Sequence, residues 1–114
     1  MSGITTHILD TSTGRPAAAV TVKLERQTGD GRWETIGGQK TDANGRARDL
    51  HASGEPLMAG VHRLAFDVGA YFRENEVDGF YQEVTIAFEV RDASQHYHVP
   101  LLLSPFGYST YRGS

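Results

Sequence analysis

The sequence predicts an all-β fold, a two-sheet antiparallel sandwich carrying one short helix. Three observations predict it. Short runs of β-branched and aromatic residues alternate with polar ones along the chain. Turn residues break those runs about every eight to twelve positions, the spacing of a sandwich. One stretch, Ala70 to Asn75, has a helical character, and it is barely two turns long.

The elements follow in order. Ile4 to Leu9 is a strand by composition, with Ile4, Thr6 and Ile8 on one side and Thr5, His7 and Leu9 on the other. Asp10 to Ala19 contains Thr13-Gly14-Arg15-Pro16 and reads as a loop. Val20 to Arg26 alternates with Val20, Val22 and Leu24 inward. Gly29-Asp30-Gly31 is a tight turn, and Trp33 to Thr41 returns, with Gly37-Gly38 marking a bulge. Asp42 to Gly45 is a second turn, after which Arg46 and Arg48 share one face of any extended segment. His51 to Gly60 is a loop. Val61 to Val68 is a strand, and Phe80 to Val90 is a long one in which Val84, Ile86, Phe88 and Val90 face the core.

The last nineteen residues stand apart. Between His96 and Leu103, Tyr97, Val99, Leu101 and Leu103 form an apolar face, while His96, His98, Pro100 and Leu102 form a mixed one. Ser104-Pro105-Phe106-Gly107 is a turn, and Tyr108 to Arg112 would return antiparallel, bringing Tyr111, Arg112 and the Ser114 carboxylate near the histidine strand.

The totals bound the function classes. A chain of 114 residues fits one domain, 1–114, and buries roughly two-thirds of its unfolded surface. It has no cysteine, so thiol nucleophiles and Cys-zinc sites are excluded. A net charge of −3 with scattered arginines offers no basic stripe for nucleic acid. No apolar run nears the ~18 residues of a membrane helix, and the first residues lack a signal-peptide pattern. A soluble, cytoplasmic protein is expected. No Gly-rich phosphate loop, His-Glu-x-x-His or Gly-x-Ser-x-Gly is present.

What remains is a dispersed set: His7, Arg46, His98 and the terminal Tyr111, Arg112 and Ser114. His96 and His98 lie about 7 Å apart by strand rise, a spacing open to zinc or to a merely solvated polar face; no carboxylate adjoins them in sequence, which disfavours metal. Two histidines titrating near neutrality can divide general base and general acid work. An arginine can hold a urea-like carbonyl and stabilise an oxyanion. Together they suit water attack on a carbonyl-rich heterocycle, provided the fold brings them together.

The residues also carry a resemblance. Thr6-His7-Ile8-Leu9-Asp10, the following Gly14-Arg15-Pro16-Ala17, Gly45-Arg46, the run from His96 to Pro105 and the ending Tyr111-Arg112-Gly113-Ser114 resemble the transthyretin-like 5-hydroxyisourate hydrolase family over essentially the whole chain. The resemblance implies a transthyretin-like (prealbumin-like) sandwich of two four-stranded sheets with one short helix between the fifth and sixth strands. It implies a homotetramer whose sites line a channel between dimers, which would cover the mixed histidine face. His7, Arg46 and His98 match the family's catalytic trio, Tyr111 a substrate-contacting position, and Ser114 the end of the motif that closes the site. Ser114 could assist the base, Arg112 could contact substrate or hold the terminus, and His96 reads as a neighbour. The reaction implied is hydrolysis of 5-hydroxyisourate to 2-oxo-4-hydroxy-4-carboxy-5-ureidoimidazoline in urate catabolism, with no metal or organic cofactor. The alternative is a thyroid-hormone carrier of the transthyretin type, since fold does not settle function. That carrier pattern has lysine, glutamate and threonine at positions 7, 46 and 98 and lacks the Tyr-Arg-Gly-Ser ending.

Overall fold

The computed structural model describes residues 3–51 and 56–114. Nine strands and one helix follow in chain order: β1 (Gly3–Asp10), β2 (Arg15–Pro16), β3 (Thr21–Gln27), β4 (Trp33–Lys40), β5 (Arg46–Ala47), β6 (Gly60–Phe66), α1 (Val68–Glu74), β7 (Val84–Val90), β8 (His96–Ser104) and β9 (Gly107–Thr110). One sheet runs β2-β1-β8-β9, with β5 also paired to β1; the other runs β4-β3-β6-β7.

Alternation decides which side chains meet between the sheets. From the first sheet come Ile4 and Ile8 of β1 with Val99, Leu101 and Leu103 of β8. From the second come Val22, Leu24, Leu64, Phe66, Val84 and Val90. Two polar residues of β1, Thr6 and Asp10, are buried here and satisfied locally. Thr6 Oγ1 donates to the Val99 carbonyl (2.6 Å), as a buried hydroxyl must. Asp10, only 4 % exposed, takes the Ser12 amide and hydroxyl on one oxygen and the Tyr71 hydroxyl on the other (2.8 Å). That bond straps α1 to the end of β1. Burial first, then the bond to Asp10, pushes the Tyr71 hydroxyl up to about 12.

Several elements differ from the sequence expectation. β1 and β8 pair in parallel, Gly3 opposite His96 through Asp10 opposite Leu103, whereas the remaining pairs of strands are antiparallel. Alternation carries no direction, and the chain reaches β8 only after building the second sheet, a long crossover that permits parallel pairing. The expected bulge lies one residue before Gly37-Gly38: Leu24 opposes Gly37 and Glu25 opposes Thr35, so Ile36 is the extra residue. Gly38 serves a close approach, since a Cβ there would sit 2.9 Å from the Val22 carbonyl oxygen. The helix starts at Val68, two residues early, because Asp67 caps it by accepting from the Ala70 amide. The strand expected from Phe80 starts at Val84; upstream, the Phe80 amide bonds to Pro105 and the Gln82 carbonyl to Gly69, so that backbone is spent outside the ladder. Of the loop expected over 51–60, residues 52–55 lie outside the described residues.

Candidate active site

The outer face of the first sheet carries the candidate residues His7 and His98. Because side chains alternate, Thr5 and His7 of β1 point away from the core that holds Ile4, Thr6 and Ile8. The register places Thr5 opposite His98 and His7 opposite Pro100. On the other edge of β1, His7 is the direct partner of Arg46. One strand therefore joins a histidine and an arginine distant in sequence to a second histidine on β8.

Arg46 is set by the turn before it. Asp42 accepts from the Asn44 and Arg46 amides (2.9 and 3.0 Å), which, the Arg46 amide first, holds its carboxyl below the usual carboxylate range. Gly45 follows with φ +75°, and a Cβ there would lie 2.5 Å from the Ile8 carbonyl. Only glycine permits both that φ and that approach. The Gly45 carbonyl in turn accepts from the Ile8 amide (2.8 Å), pinning the turn to β1. The Asn-Gly signal thus has a functional product: it delivers Arg46 opposite His7.

His98 is half-buried. Its Nδ1 lies 2.7 Å from Thr5 Oγ1, and the same hydroxyl lies 2.9 Å from His96 Nε2. The two imidazoles are nearly coplanar in orientation, 16° apart with centroids separated by 6.5 Å. Burial, then the charges of Arg46, His96 and His7, lower the His98 pKa below its ordinary 6.5. The shift favours the uncharged imidazole.

The chain's end closes over this face. β9 stops at Thr110, earlier than the expected Arg112, and the tail leaves the ladder to bridge Gly113 to His98; the Gly113 amide donates to the His98 carbonyl (2.8 Å). The backbone lies on the ring itself, for a Cβ on Gly113 would be 2.5 Å from His98 Cδ2. Ser114 is thereby brought to the rim of an open cleft of about 550 Å³, which Thr5, Arg46, Arg48, His96 and His98 also line.

The structure brings Arg46, His98 and Ser114 together at the cleft, with His7 beside Arg46 on the same face. Tyr111 and Arg112 instead border a neighbouring apolar cavity of about 250 Å³ with Ile86, Phe88 and Tyr97, and His98 lines both that cavity and the cleft. The Arg112 guanidinium lies 4.8 Å above the Tyr97 ring and donates to Gln95 (3.3 Å). Thr5 is a cleft residue that sequence reasoning did not single out; its signal was positional, two before His7 on the same strand face. Arg48, expected to share a face with Arg46 and to be a solubilising charge, lines the cleft as well. Among the described residues no group of three or more His, Asp or Glu side chains could hold a metal ion.

Comparison with known proteins adds to this geometry. The HIUase/Transthyretin family model matches residues 4–113. The 5-hydroxyisourate hydrolase of Caulobacter vibrioides is 47 % identical over 118 residues, covering 100 % of both chains. Among solved structures, Klebsiella pneumoniae 5-hydroxyisourate hydrolase superposes with a TM-score of 0.85 at 40 % identity, covering 100 % of each chain. Sea bream transthyretin, solved in complex with thyroxine, gives a TM-score of 0.89 at 34 % identity, covering 96 % of this chain and 93 % of that one. The backbone thus matches a hydrolase and a thyroxine-bound transthyretin alike, and the side chains must separate them.

Proposed function

We infer the reaction from one premise: the chain belongs to the HIUase/Transthyretin family. Within it, the protein is an enzyme, a 5-hydroxyisourate hydrolase acting on a cyclic amide, the activity named for relatives matched over their full length. The observation that carries the reading is the register that places His7 opposite Arg46 and Thr5 opposite His98 on one outward face beside the cleft. A carrier would need none of that proton-transfer chemistry.

The residue roles are our proposal. His98, whose surroundings favour the neutral ring, takes a proton from water as the oxygen attacks the ring carbonyl of 5-hydroxyisourate. Arg46 binds that carbonyl and stabilises the oxyanion. As the carbon–nitrogen bond breaks, His7 as imidazolium donates a proton to the leaving ring nitrogen, opening the six-membered ring to 2-oxo-4-hydroxy-4-carboxy-5-ureidoimidazoline. Water is the only co-reactant this route requires. Ser114 assists in orienting the water, and Tyr111 and Arg112, which border the neighbouring cavity that His98 also lines, contact the substrate only where it extends past His98. Residues 1–114 act as one domain in a cytoplasmic homotetramer. The unpaired edges of β7 and β9 and the exposed Phe106 and Tyr111, 70 % and 58 % exposed, support that assembly, in which a second copy would cover the open cleft.

The test is a coupled ultraviolet assay in which urate oxidase generates 5-hydroxyisourate in place. The protein should accelerate its decay over the spontaneous rate, and a chain ending before Tyr111 should not. No acceleration by the folded, full-length protein would overturn the reading.

A further inference from the structure

A single hydroxyl lies between the two imidazoles of β8. Thr5 Oγ1 is 2.7 Å from His98 Nδ1 and 2.9 Å from His96 Nε2. Two imidazoles of β8 converge on that oxygen of β1 because β1 and β8 are parallel with Thr5 opposite His98. A hydroxyl has one proton to give and lone pairs to receive. Placed between two ring nitrogens it can donate to one while accepting from the other. All three line the cleft, His98 half-buried and His96 exposed, so the chain of three runs from the more buried side of the cleft to its more open side.

We propose that Thr5 is a positioning residue that holds His98 in the Nδ1–H tautomer, and that His96 is the solvent end of a proton path serving His98. The inference rests on the hydrolase reading and extends it to two residues outside the family trio. In the resting state His98 Nδ1–H donates to Thr5 Oγ1, the Thr5 hydroxyl donates to His96 Nε2, and the lone pair of His98 Nε2 is free for the reacting water. When Nε2 takes the water's proton, the Nδ1 proton passes to Thr5 and the Thr5 proton passes to His96. Only N–H and O–H bonds form and break, and the positive charge moves from His98 to His96.

The surroundings favour that direction. His98 faces Arg46 on β5 and His7 on β1, with Arg48, Asp49 and Ser114 lining the same cleft. A second positive charge beside Arg46 and His7 is disfavoured by Coulomb repulsion, which water screens at the exposed His96 far better. After the transfer, His98 holds its new proton on Nε2; when His96 returns its proton through Thr5 to Nδ1, the Nε2 proton leaves by way of cleft water to His7, which gave up its own to the leaving nitrogen, and the starting tautomer is restored.

The experiment uses the full-length protein with Thr5→Val, Thr5→Ser and His96→Ala. Thr5→Val keeps the shape and removes the hydroxyl; kcat should fall roughly 10- to 100-fold, the scale of a misoriented catalytic group, with KM little changed and the acid limb of the kcat–pH profile displaced. Thr5→Ser should restore most of the loss. His96→Ala should slow turnover only at low buffer concentration and regain it with added imidazole, an effect that loss of packing would not produce. Nitrogen NMR of the His98 ring, which needs no turnover, should show the Nδ1–H tautomer in the parent and the Nε2–H tautomer in Thr5→Val. A Thr5→Val protein with unchanged kcat, pH profile and tautomer overturns the positioning role. A His96→Ala protein insensitive to buffer overturns the path. Failure of the parent to hydrolyse 5-hydroxyisourate would strike the hydrolase reading alone, because the tautomer measurement still judges Thr5.

Discussion

Two histidines in this molecule share one electrostatic signature and differ in everything else. His62 of β6 and His98 of β8 both have pKa values lowered first by burial. His62 faces inward, is fully buried, and stacks on Phe88 with ring centroids 6.2 Å apart. Its Nδ1 bonds to the Gly60 carbonyl (3.1 Å) and its Nε2 has no partner. His98 faces outward, shares Thr5 with His96 and borders a cleft. A depressed imidazole pKa therefore marks burial, and catalysis requires in addition an open approach and polar groups aimed at it.

The sharpest break in that comparison is in turnover. His98→Asn should lower kcat by at least about 10²-fold, the contribution of a positioned proton-transfer group, while thermal midpoint and oligomeric state hold. His62→Phe should leave kcat unchanged. The ultraviolet assay with a melting curve for each variant checks both. If the two substitutions had equal effects on turnover, access would not be what distinguishes the rings.

A smaller effect tests how His98 is held. Gly113 has no room for a Cβ, which would fall 2.5 Å from His98 Cδ2 and 3.2 Å from Pro100 Cγ. Gly113→Ala must move either the tail or the imidazole. Turnover should fall roughly 10- to 100-fold, with the melting temperature nearly unaltered because the tail lies outside the core. An alanine variant with parental kcat would mean that the ring's placement does not depend on the tail.

The same contrast explains what could be read before the structure. The faces of β1 and β8 were legible because a period-two pattern separates Ile4, Thr6 and Ile8 from Thr5 and His7, and Tyr97 and Val99 from His96 and His98. The turn at Asp42 to Gly45 was legible from its Asn-Gly. Strand direction was not, since alternation is the same either way, and the parallel register is what sets Thr5 against His98. β2 and β5, two residues each, are too short to leave a pattern, yet β5 places Arg46. Tyr111 and Arg112 were assigned by their motif, and their position behind the tail depends on Gly113 packing on a ring fifteen residues earlier, a tertiary fact with no local trace. His62 reads as an ordinary strand residue until the second sheet covers it.

The smallest expected effect concerns stability and acid. His62 sits among Arg26 of β3, His51, the Gly60 carbonyl and Phe88. Burial, followed by the charges of Arg26 and His51, disfavours its protonation in the folded state, and only the Gly60 bond opposes them. The unfolded chain binds a proton at this ring near 6.5, and the folded protein binds it only at lower pH. Between those values the unfolded state holds more protons, so stability rises with pH there. It is complete above 6.5 and declines as pH falls through the folded-state value, by about 1.4 kcal/mol for each unit of depression. His98, lowered in the same direction, adds to the slope. His62→Phe replaces a buried ring with an unpartnered nitrogen by an apolar one of similar shape, a change expected to be near neutral or stabilising at pH 8. It should flatten the decline in melting temperature between pH 7 and pH 5, leaving only the part due to His98. Urea titrations of parent and variant across that range measure the difference directly. An identical acid slope in both proteins would show that His62 takes up its proton equally in the folded and unfolded states, and that burial does not keep this imidazole neutral.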